Sequence, residues 1–184
     1  ETIARKYIKI EPVVVGGHLD LGFDIHYEDV SAVGADRLCN AIAGYKKYGG
    51  PLIIIDFGTA TTFDVVAENG DYLGGVIGLG LESTAGELHR RAAKLPKIEL
   101  HFPEKVIGTD TVQSMQAGVM FGAVDAVEGI VRRIQREMES KAKVIATGGL
   151  STIMAKYSGV IEACEPSLVL DGVRLIYERV KAKS

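Results

Sequence analysis

The sequence predicts an α/β fold, and three observations support this prediction. Residues 52–55 form an unbroken apolar run, which is typical of a strand buried on both faces. Asn69-Gly70 joins two strand-like segments and is the strongest hairpin signal in the chain. Apolar residues recur at helical spacing over residues 35–48 and again from Thr111 onward. Strands and helices are therefore both expected, in alternation along the chain.

The composition is that of a globular protein. The 184 residues are 47% hydrophobic, which is enough for one large domain, or for a domain plus part of another, with a substantial core. The net charge is -3 with acids and bases mixed along the chain, so we expect no nucleic-acid partner and no membrane-surface patch. No apolar run reaches membrane-spanning length, and the first residues do not resemble a signal peptide. We therefore expect a soluble protein of the cytoplasm.

Cysteine and histidine usage agrees with that location. Cys39 and Cys164 lie far apart without Cys-x-x-Cys spacing, which favours reduced thiols in a reducing compartment. The four histidines show no paired ligand spacing, which argues against a zinc site.

The beginning of the chain is predicted to start in the middle of a fold. Residues 1–9 are typical of the end of a helix, and residues 11–17 of a short strand closed by glycines. That strand has no obvious partner in this chain, so we expect an upstream segment to be absent. Further on, Tyr27 stands in an irregular stretch and is either substrate-facing or a half-buried loop tyrosine.

A glycine, an acid and a base stand at the start of the first long helix, which is predicted over residues 35–48. Asp36 falls in the first turn, where the helix dipole favours an acid whatever its function, but the dipole does not favour Arg37. Gly34 allows a close approach of the backbone, and Arg37 offers a charged fork for an anionic group. Together these residues favour a binding site.

The end of the buried strand carries the strongest functional signal. Asp56 is followed by Gly58 and by three hydroxyl-bearing residues, Thr59, Thr61 and Thr62. Gly58 lets backbone N–H groups approach an anion, and the threonines offer hydroxyl donors. Asp56 would repel a phosphate unless a cation lay between them, since hard cations bind carboxylate and phosphate oxygens together. The pattern predicts a phosphate and cation site, and its alternative is an ordinary hairpin with β-favouring threonines and a turn aspartate.

The remaining elements follow from periodicity and turn signals. The sequence predicts strands over residues 61–67, 72–77, 144–147 and 160–163, and helices over residues 83–93, 150–157 and 170–180. Gly148-Gly149 ends one of these strands, either to pass flat against an adenine or ribose or for purely steric reasons.

The long helix that begins at Thr111 has a face of small residues. Glycine inside a helix costs about 1 kcal/mol relative to alanine, so a repeated glycine needs a compensating contact. We interpret this face as a subunit interface where a second helix approaches closely. Its members are Gly118, Gly122, Ala126 and Gly129.

Taken in order and spacing, the motifs resemble those of type III pantothenate kinases, from about Glu11 to the end of the chain. The motifs are Gly34-Ala35-Asp36-Arg37, Asp56-Phe57-Gly58-Thr59-Ala60-Thr61-Thr62, Gly74-Gly75-Val76-Ile77, Ala92-Ala93-Lys94-Leu95-Pro96, Gly108-Thr109-Asp110-Thr111 and Thr147-Gly148-Gly149. The resemblance implies the actin-like ATPase (ribonuclease H-like) fold, with a mixed sheet flanked by helices and a nucleotide between two related domains. Residues 1–50 would then hold the end of the N-terminal domain with the substrate segment, and residues 51–184 the C-terminal domain with nucleotide and dimer contacts.

The resemblance also implies an activity, the transfer of the ATP γ-phosphate to the hydroxyl of pantothenate, which gives 4'-phosphopantothenate in the first step of coenzyme A synthesis. Asp36 resembles the base that accepts the hydroxyl proton. The resemblance places pantothenate against Tyr27, Gly34, Ala35, Asp36 and Arg37 of one subunit and against Thr111 of the partner subunit, in a homodimer formed through helix 111–139.

For the nucleotide, the resemblance implies phosphate contacts from Thr59 and a monovalent cation, potassium or ammonium, at Asp56, while magnesium accompanies ATP. The residues expected to bind ATP are Gly58, Thr59, Thr61, Thr62, Gly148 and Gly149.

Two departures from the family pattern stand out. The family opens with a phosphate-binding turn of the form Asp-x-Gly-Asn-Thr, and nothing in residues 1–17 matches it, so half of the phosphate and magnesium site is expected to be missing. Gly78-Leu79-Gly80 stands where the family usually has Ala-Pro-Gly.

Two alternatives to the kinase remain at this point. Another phosphotransferase of the same fold, acting on a sugar or on acetate, would keep the Asp-Phe-Gly-Thr loop without needing Gly-Ala-Asp-Arg. A non-catalytic accessory or regulatory protein is the other alternative, because proteins resembling this family have been described as accessory factors for transcription.

Overall fold

A computed structural model describes residues 2–182 and shows a five-stranded mixed sheet between two layers of helices. The strand order across the sheet is β3-β2-β1-β4-β5. The strands are β1 (Leu52–Phe57), β2 (Ala60–Val66), β3 (Tyr72–Leu79), β4 (Lys143–Thr147) and β5 (Ala163–Cys164). The helices are α1 (Ala35–Tyr48), α2 (Leu81–Arg91), α3 (Thr111–Glu137), α4 (Ser151–Ala155) and α5 (Leu168–Ala182).

The first three strands form an antiparallel meander, and β4 and β5 run parallel to β1. β2 is therefore the one strand of this sheet that runs against the others. The hairpin predicted at Asn69-Gly70 joins β2 to β3, and Gly70 adopts a φ of +97°, a conformation that glycine reaches without strain. The expected mixed sheet flanked by helices is confirmed.

The apolar run of β1 is buried on both faces, as predicted. Side chains alternate along a strand, so Ile53 and Ile55 pack under α2, α3 and α4, while Leu52 and Ile54 pack under α1 and α5. All four side chains are fully buried. Asp56, two residues after Ile54, consequently lies on the α1 face of the sheet.

The helices that flank the sheet are amphipathic, and α1 has the predicted bounds. The start of α3 is capped by Asp110, whose Oδ1 accepts a hydrogen bond from the Gln113 N–H at 2.8 Å.

From residue 2 to residue 182, no helix is both long enough and apolar enough to cross a bilayer. The segment before residue 51 contributes α1 to the same core as the strands, and the predicted domain boundary there stays a prediction.

The strand predicted over residues 11–17 is wrong. A strand needs a hydrogen-bonded neighbour, and these residues join no strand of the described sheet, although Val15 packs against the α1 face of the core. Residues 24–26 reach the open edge of β3 instead, where the His26 N–H donates to the Tyr72 carbonyl at 2.9 Å.

The other boundaries differ by small shifts. A short π-helix, Ala4–Ile8, lies inside the helix predicted over residues 1–9, of which Glu1 is outside the described residues. α2 begins at Leu81, two residues before its predicted start, with Gly80 at the N-cap position. β5 is displaced to Ala163–Cys164, since Val160 and Ile161 pack into the core beneath α3 and α4.

Candidate active site

Part of the predicted site lies where the carboxyl ends of β1 and β4 meet the start of α1. The two strands are parallel neighbours, and Asp56 stands in register with Thr147. In open α/β sheets, ligands bind in the crevice outside the carboxyl ends of the strands. The topology therefore provides a binding position at this edge of the sheet.

Asp56 is held by a residue of α1. Its Oδ2 accepts a hydrogen bond from Asn40 Nδ2 at 3.1 Å, and Asn40 is only 1% exposed. Burial raises the pKa of Asp56; the bond from Asn40 opposes this shift, and the negative charge of Asp36 adds to it. The Asn40 Oδ1 atom is buried without a hydrogen-bond partner among the described residues. A half-buried carboxylate beside an unpartnered carbonyl oxygen is a suitable environment for a cation.

Protein carboxylates alone do not complete such a cation site. Within residues 2–182, no three His, Cys, Asp or Glu side chains come close enough to hold a metal ion together. Asp56 and Asn40 therefore offer two oxygens of the kind that a hard cation accepts, together with backbone and phosphate oxygens.

Gly148 lies directly against Asp56. Its φ is +87°, and an added Cβ would stand 2.5 Å from Asp56 Oδ1 and 2.7 Å from the Phe57 carbonyl oxygen. Any larger residue at this position would displace the carboxylate. Gly149 faces open space at the same loop, so the steric reason for the Gly-Gly pair applies to Gly148 alone.

The turn between β1 and β2 is packed against the start of α2. The Gly58 N–H donates to the Ala60 carbonyl at 3.1 Å, and Ser83 Oγ donates to the Thr59 carbonyl at 2.9 Å. An added Cβ on Gly80 would overlap the Thr59 carbonyl and stand 2.5 Å from the Gly58 carbonyl oxygen. An added Cβ on Gly58 would make only ordinary contacts, so the tight packing of this turn is at Gly80. The approach of an anion to the Gly58 backbone stays a prediction.

The three threonines divide between different surfaces. Thr62 is in register with Asp56 and shares its face of the sheet. Thr59 is exposed in the turn. Thr61 is only 8% exposed and points to the opposite face, because neighbouring residues of a strand alternate. The structure brings Thr62 beside Asp56 and does not bring Thr61 there.

Asp36 stands exposed in the first turn of α1, and its Oδ1 accepts a hydrogen bond from the Arg37 N–H at 2.9 Å. An added Cβ on Gly34 would lie 2.5 Å from that same Oδ1, so Gly34 leaves room for the carboxylate. Asn40 lies one helical turn after Asp36 and therefore on the same face of α1. Asp36, Asn40 and Asp56 thus form a polar row from α1 to β1.

The sequence predicted that Arg37 would offer a charged fork to an anion, but the structure shows its guanidinium buried. It is only 6% exposed, its Nε donates to Asp64 Oδ1 at 2.6 Å, and its Nη2 donates to the Phe63 carbonyl at 3.3 Å. The Tyr72 hydroxyl donates to the same Asp64 oxygen at 2.9 Å. Burial raises the pKa of Asp64 to about 6, against the effect of the Arg37 charge. The guanidinium is bound inside the protein because β2 places Asp64 beneath the helix start.

The remaining predicted substrate residues lie on two sides of the sheet. Tyr27 is 39% exposed, and its ring lies against Gly74 of β3. Ala35 is exposed at the first position of α1. Thr111 begins α3, which covers the opposite face of the sheet from α1. Within one chain, the structure does not group Thr111 with Asp36.

Sequence reasoning missed Asn40, Asp64, Tyr72 and Gly80. Two of them carried a signal that can be recognised afterwards. Asn40 follows Asp36 by one helical turn, and Asp64 is a charged residue inside a strand that is otherwise largely apolar. The positions of Tyr72 and Gly80 depend on strand register and on the turn that packs above α2.

Comparisons with known proteins point to one family. The sequence profile of type III pantothenate kinases matches residues 1–133. A type III pantothenate kinase from Bacillus cytotoxicus is 49% identical over 179 residues, which are 97% of this chain and 68% of that protein.

Two solved structures are similar in fold. A Campylobacter jejuni protein described as a Baf family transcriptional activator superposes with a TM-score of 0.59 at 19% identity, over 87% of this chain and 69% of that one. The activator of 2-hydroxyisocaproyl-CoA dehydratase from Clostridium difficile, solved with bound ADPNP, superposes with a TM-score of 0.51 at 14% identity. The match covers 80% of this chain and 68% of that one. These likenesses confirm the actin-like ATPase fold. With the fold, the motif order and the identity in agreement, this chain belongs to the type III pantothenate kinase family.

Proposed function

We infer that this chain catalyses the ATP-dependent phosphorylation of pantothenate to 4'-phosphopantothenate, the first step of coenzyme A synthesis. The observation that carries this inference is the polar row of Asp36, Asn40 and Asp56 at the carboxyl end of β1, in a chain 49% identical to a kinase of that name. Phosphoryl transfer requires a base near the hydroxyl, neutralisation of phosphate charge and close positioning, and the row supplies groups for all three.

Asp36 is the base in this proposal. Its exposed carboxylate is fixed by the Arg37 N–H and can accept the proton of the pantothenate hydroxyl as the phosphoryl group is transferred. Gly34 and Ala35 supply backbone to the bound substrate, and Tyr27 supplies an aromatic ring. The guanidinium of Arg37 lies beneath the site, because its Nε donates a hydrogen bond to Asp64.

The phosphates of ATP lie at the turn after β1 in this proposal. We expect Gly58, Thr59 and Thr62 to contact these phosphates, whereas Thr61, on the opposite face of β2, supports the strand. Asp56, with Asn40, would hold a monovalent cation, potassium or ammonium, which offsets the repulsion between carboxylate and phosphate. Magnesium accompanies the ATP phosphates, as in other phosphoryl transfers.

Gly148 and Gly149 provide a flat surface for the adenosine part of ATP. Two subunits pair through helix 111–139, so that Thr111 of the partner subunit reaches the pantothenate site. We place the reaction in the cytoplasm, following the family.

The proposal is tested by measuring phosphorylated products with ATP, magnesium and potassium against pantothenate, a sugar and acetate. The chain is assayed beside an extended form, in which the N-terminal phosphate-binding segment of a type III pantothenate kinase precedes Glu1. We expect the extended form to phosphorylate pantothenate alone. Turnover of the sugar or of acetate would identify a different phosphotransferase, and an extended form that folds but phosphorylates nothing would contradict a kinase.

A further inference from the structure

We propose that Asp64 is a positioning residue for the base Asp36 and acts on it through Arg37. This inference rests on the proposed function, in which Asp36 accepts the proton of the substrate hydroxyl. It involves a buried cluster from three elements, namely Arg37 of α1, Asp64 of β2 and Tyr72 of β3.

The first link joins Asp64 to Arg37. Asp64 is 0% exposed, and one of its oxygens accepts from both Arg37 Nε and the Tyr72 hydroxyl. Its other oxygen is buried without a partner among the described residues. Removing two charges from water is costly, and a buried ion pair often stabilises a fold no better than apolar residues of similar size. The pair therefore calls for an explanation other than stability.

The second link fixes the direction of the guanidinium. Arg37 donates through Nε to Asp64 and through Nη2 to the Phe63 carbonyl, so that two of its nitrogens are held by β2. β3 closes the other side, because an added Cβ on Gly75 would overlap the Phe63 carbonyl and stand 2.7 Å from Arg37 Nη2. The planar guanidinium consequently has a single orientation, and the start of α1 is fastened to the sheet at this point.

The third link runs from Arg37 to Asp36. The Arg37 N–H donates to Asp36 Oδ1 at 2.9 Å. The first N–H groups of a helix have no intrahelical partner, and helix ends are where local opening begins. Because Asp64 holds the Arg37 side chain, it also holds the N–H that orients the Asp36 carboxylate. Loss of Asp64 should therefore reduce the rate of the proton-accepting step more than it reduces ATP binding.

A double-mutant cycle in the extended form tests this inference. Asp64→Asn keeps the shape of the side chain and removes its charge, and we expect kcat to fall by about tenfold or more while the KM for ATP changes by less than about twofold. In an Asp36→Asn background, the same substitution should lower kcat by less than about twofold, because the residue that it positions is already absent. A purely structural role would lower kcat by the same factor in both backgrounds.

Two further variants accompany the cycle. Tyr72→Phe removes one hydrogen bond to Asp64 and keeps the ring, so a smaller loss of kcat with the same dependence on Asp36 is expected. Val66→Ala changes a buried residue two positions further along the same face of β2, and its kcat should equal that of the parent when measured well below its melting temperature. If Asp64→Asn does not fold, Tyr72→Phe takes its place in the cycle.

The outcomes separate this inference from the function on which it rests. An extended form without pantothenate kinase activity would refute the proposed function. An active extended form in which Asp64→Asn, or its replacement Tyr72→Phe, retains the parent kcat, or loses the same factor with and without Asp36, would overturn the positioning role alone.

Discussion

At the scale of single residues, Asp36 and Asp56 have different surroundings that suit different tasks. Asp36 is exposed at the start of a helix and held by one backbone N–H. Asp56 is half-buried, bound to Asn40, and its pKa is raised by burial. An accessible carboxylate can meet a substrate hydroxyl, whereas a half-buried one gains more from a bound cation.

Replacement of Asp36 by Asn in the extended form should lower kcat by about 10²-fold or more, as expected for loss of a general base. The fold and the KM for pantothenate should change much less, because the amide occupies the same space. Steady-state kinetics and a melting curve check both statements. Asp171→Asn is the matched control, since Asp171 is also an exposed aspartate in the first turn of a helix. Near-normal kcat for Asp36→Asn would reduce Asp36 to a helix-start acid.

Asp56 leads to a prediction about cation dependence. Activity of the extended form should require potassium or ammonium besides magnesium, because a carboxylate next to phosphate needs a counter-charge. Asp56→Ala should abolish this dependence together with most of the activity, while Asp171→Ala should leave both intact. Initial rates in potassium and sodium buffers of equal ionic strength decide the matter, and equal rates of the parent enzyme in the two buffers would count against a cation at Asp56.

At the scale of elements, glycines determine how the loops approach one another at the ends of the strands. Gly80 allows the Gly58–Thr59 turn to rest on α2, and Gly148 allows the loop after β4 to rest on Asp56. Both contacts join elements that are distant in the chain. They shape the same edge of the sheet on which the polar row lies.

The Gly148-Gly149 pair offers a test with a built-in control. Gly148→Ala should lower the free energy of unfolding by about 1–3 kcal/mol, because alanine is strained at φ +87° and its Cβ would displace the Asp56 carboxylate. Gly149→Ala meets open space, so its effect should stay within about 0.5 kcal/mol. Urea unfolding of both variants, with the KM for ATP in the extended form, provides the comparison. Equal stability of the two variants would show that the loop is not held against Asp56.

At the scale of the whole molecule, the small face of α3 lies open in a single chain. Gly118 and Gly122 are exposed, and an added Cβ on either would meet no atom within 4 Å. The opposite side of α3 carries buried residues such as Met120, Val124 and Val127 that fill the chain's own core. The helix thus has one occupied face and one that a second copy would cover in the proposed homodimer.

The substitution Gly122→Leu distinguishes a monomer from a dimer that packs at that face. In a monomer the substitution should stabilise α3 by about 1 kcal/mol, because leucine is a better helix former than glycine. In a dimer packed at this face it should overpack the interface and cost about 1–3 kcal/mol at each contact. Sedimentation should therefore show a dimer that dissociates with Gly122→Leu and not with Gly86→Leu, a control at another open helix glycine. A parent chain that sediments as a monomer would contradict the interface.

A shared active site leads to a complementation test in the extended form. Asp36→Asn subunits and Thr111→Ala subunits should each have little activity, but their mixture should recover part of it. One of the two sites in a mixed dimer combines an intact Asp36 with an intact Thr111 of the partner subunit. Mixtures no more active than either parent variant would rule out a site shared in this way.

The sequence by itself determined the features that depend on neighbouring residues. The four apolar residues of β1, the bounds of α1 and the Asn69-Gly70 hairpin follow from burial patterns and turn chemistry over short stretches. The order of the motifs was sufficient to identify the family. Prediction was wrong over residues 11–17, where the local pattern of a strand finds no partner, since pairing depends on distant parts of the chain.

Only the tertiary structure decided which side chains meet. Arg37 and Asp64 are 27 residues apart in the chain and 2.6 Å apart between their polar atoms. Asn40 reaches Asp56, and Gly148 closes on the same carboxylate from another strand. These contacts depend on strand register and on how α1 crosses the sheet, neither of which is encoded in any short stretch of residues. For that reason the sequence identified Arg37 as a site residue but could not show that its guanidinium is bound to Asp64.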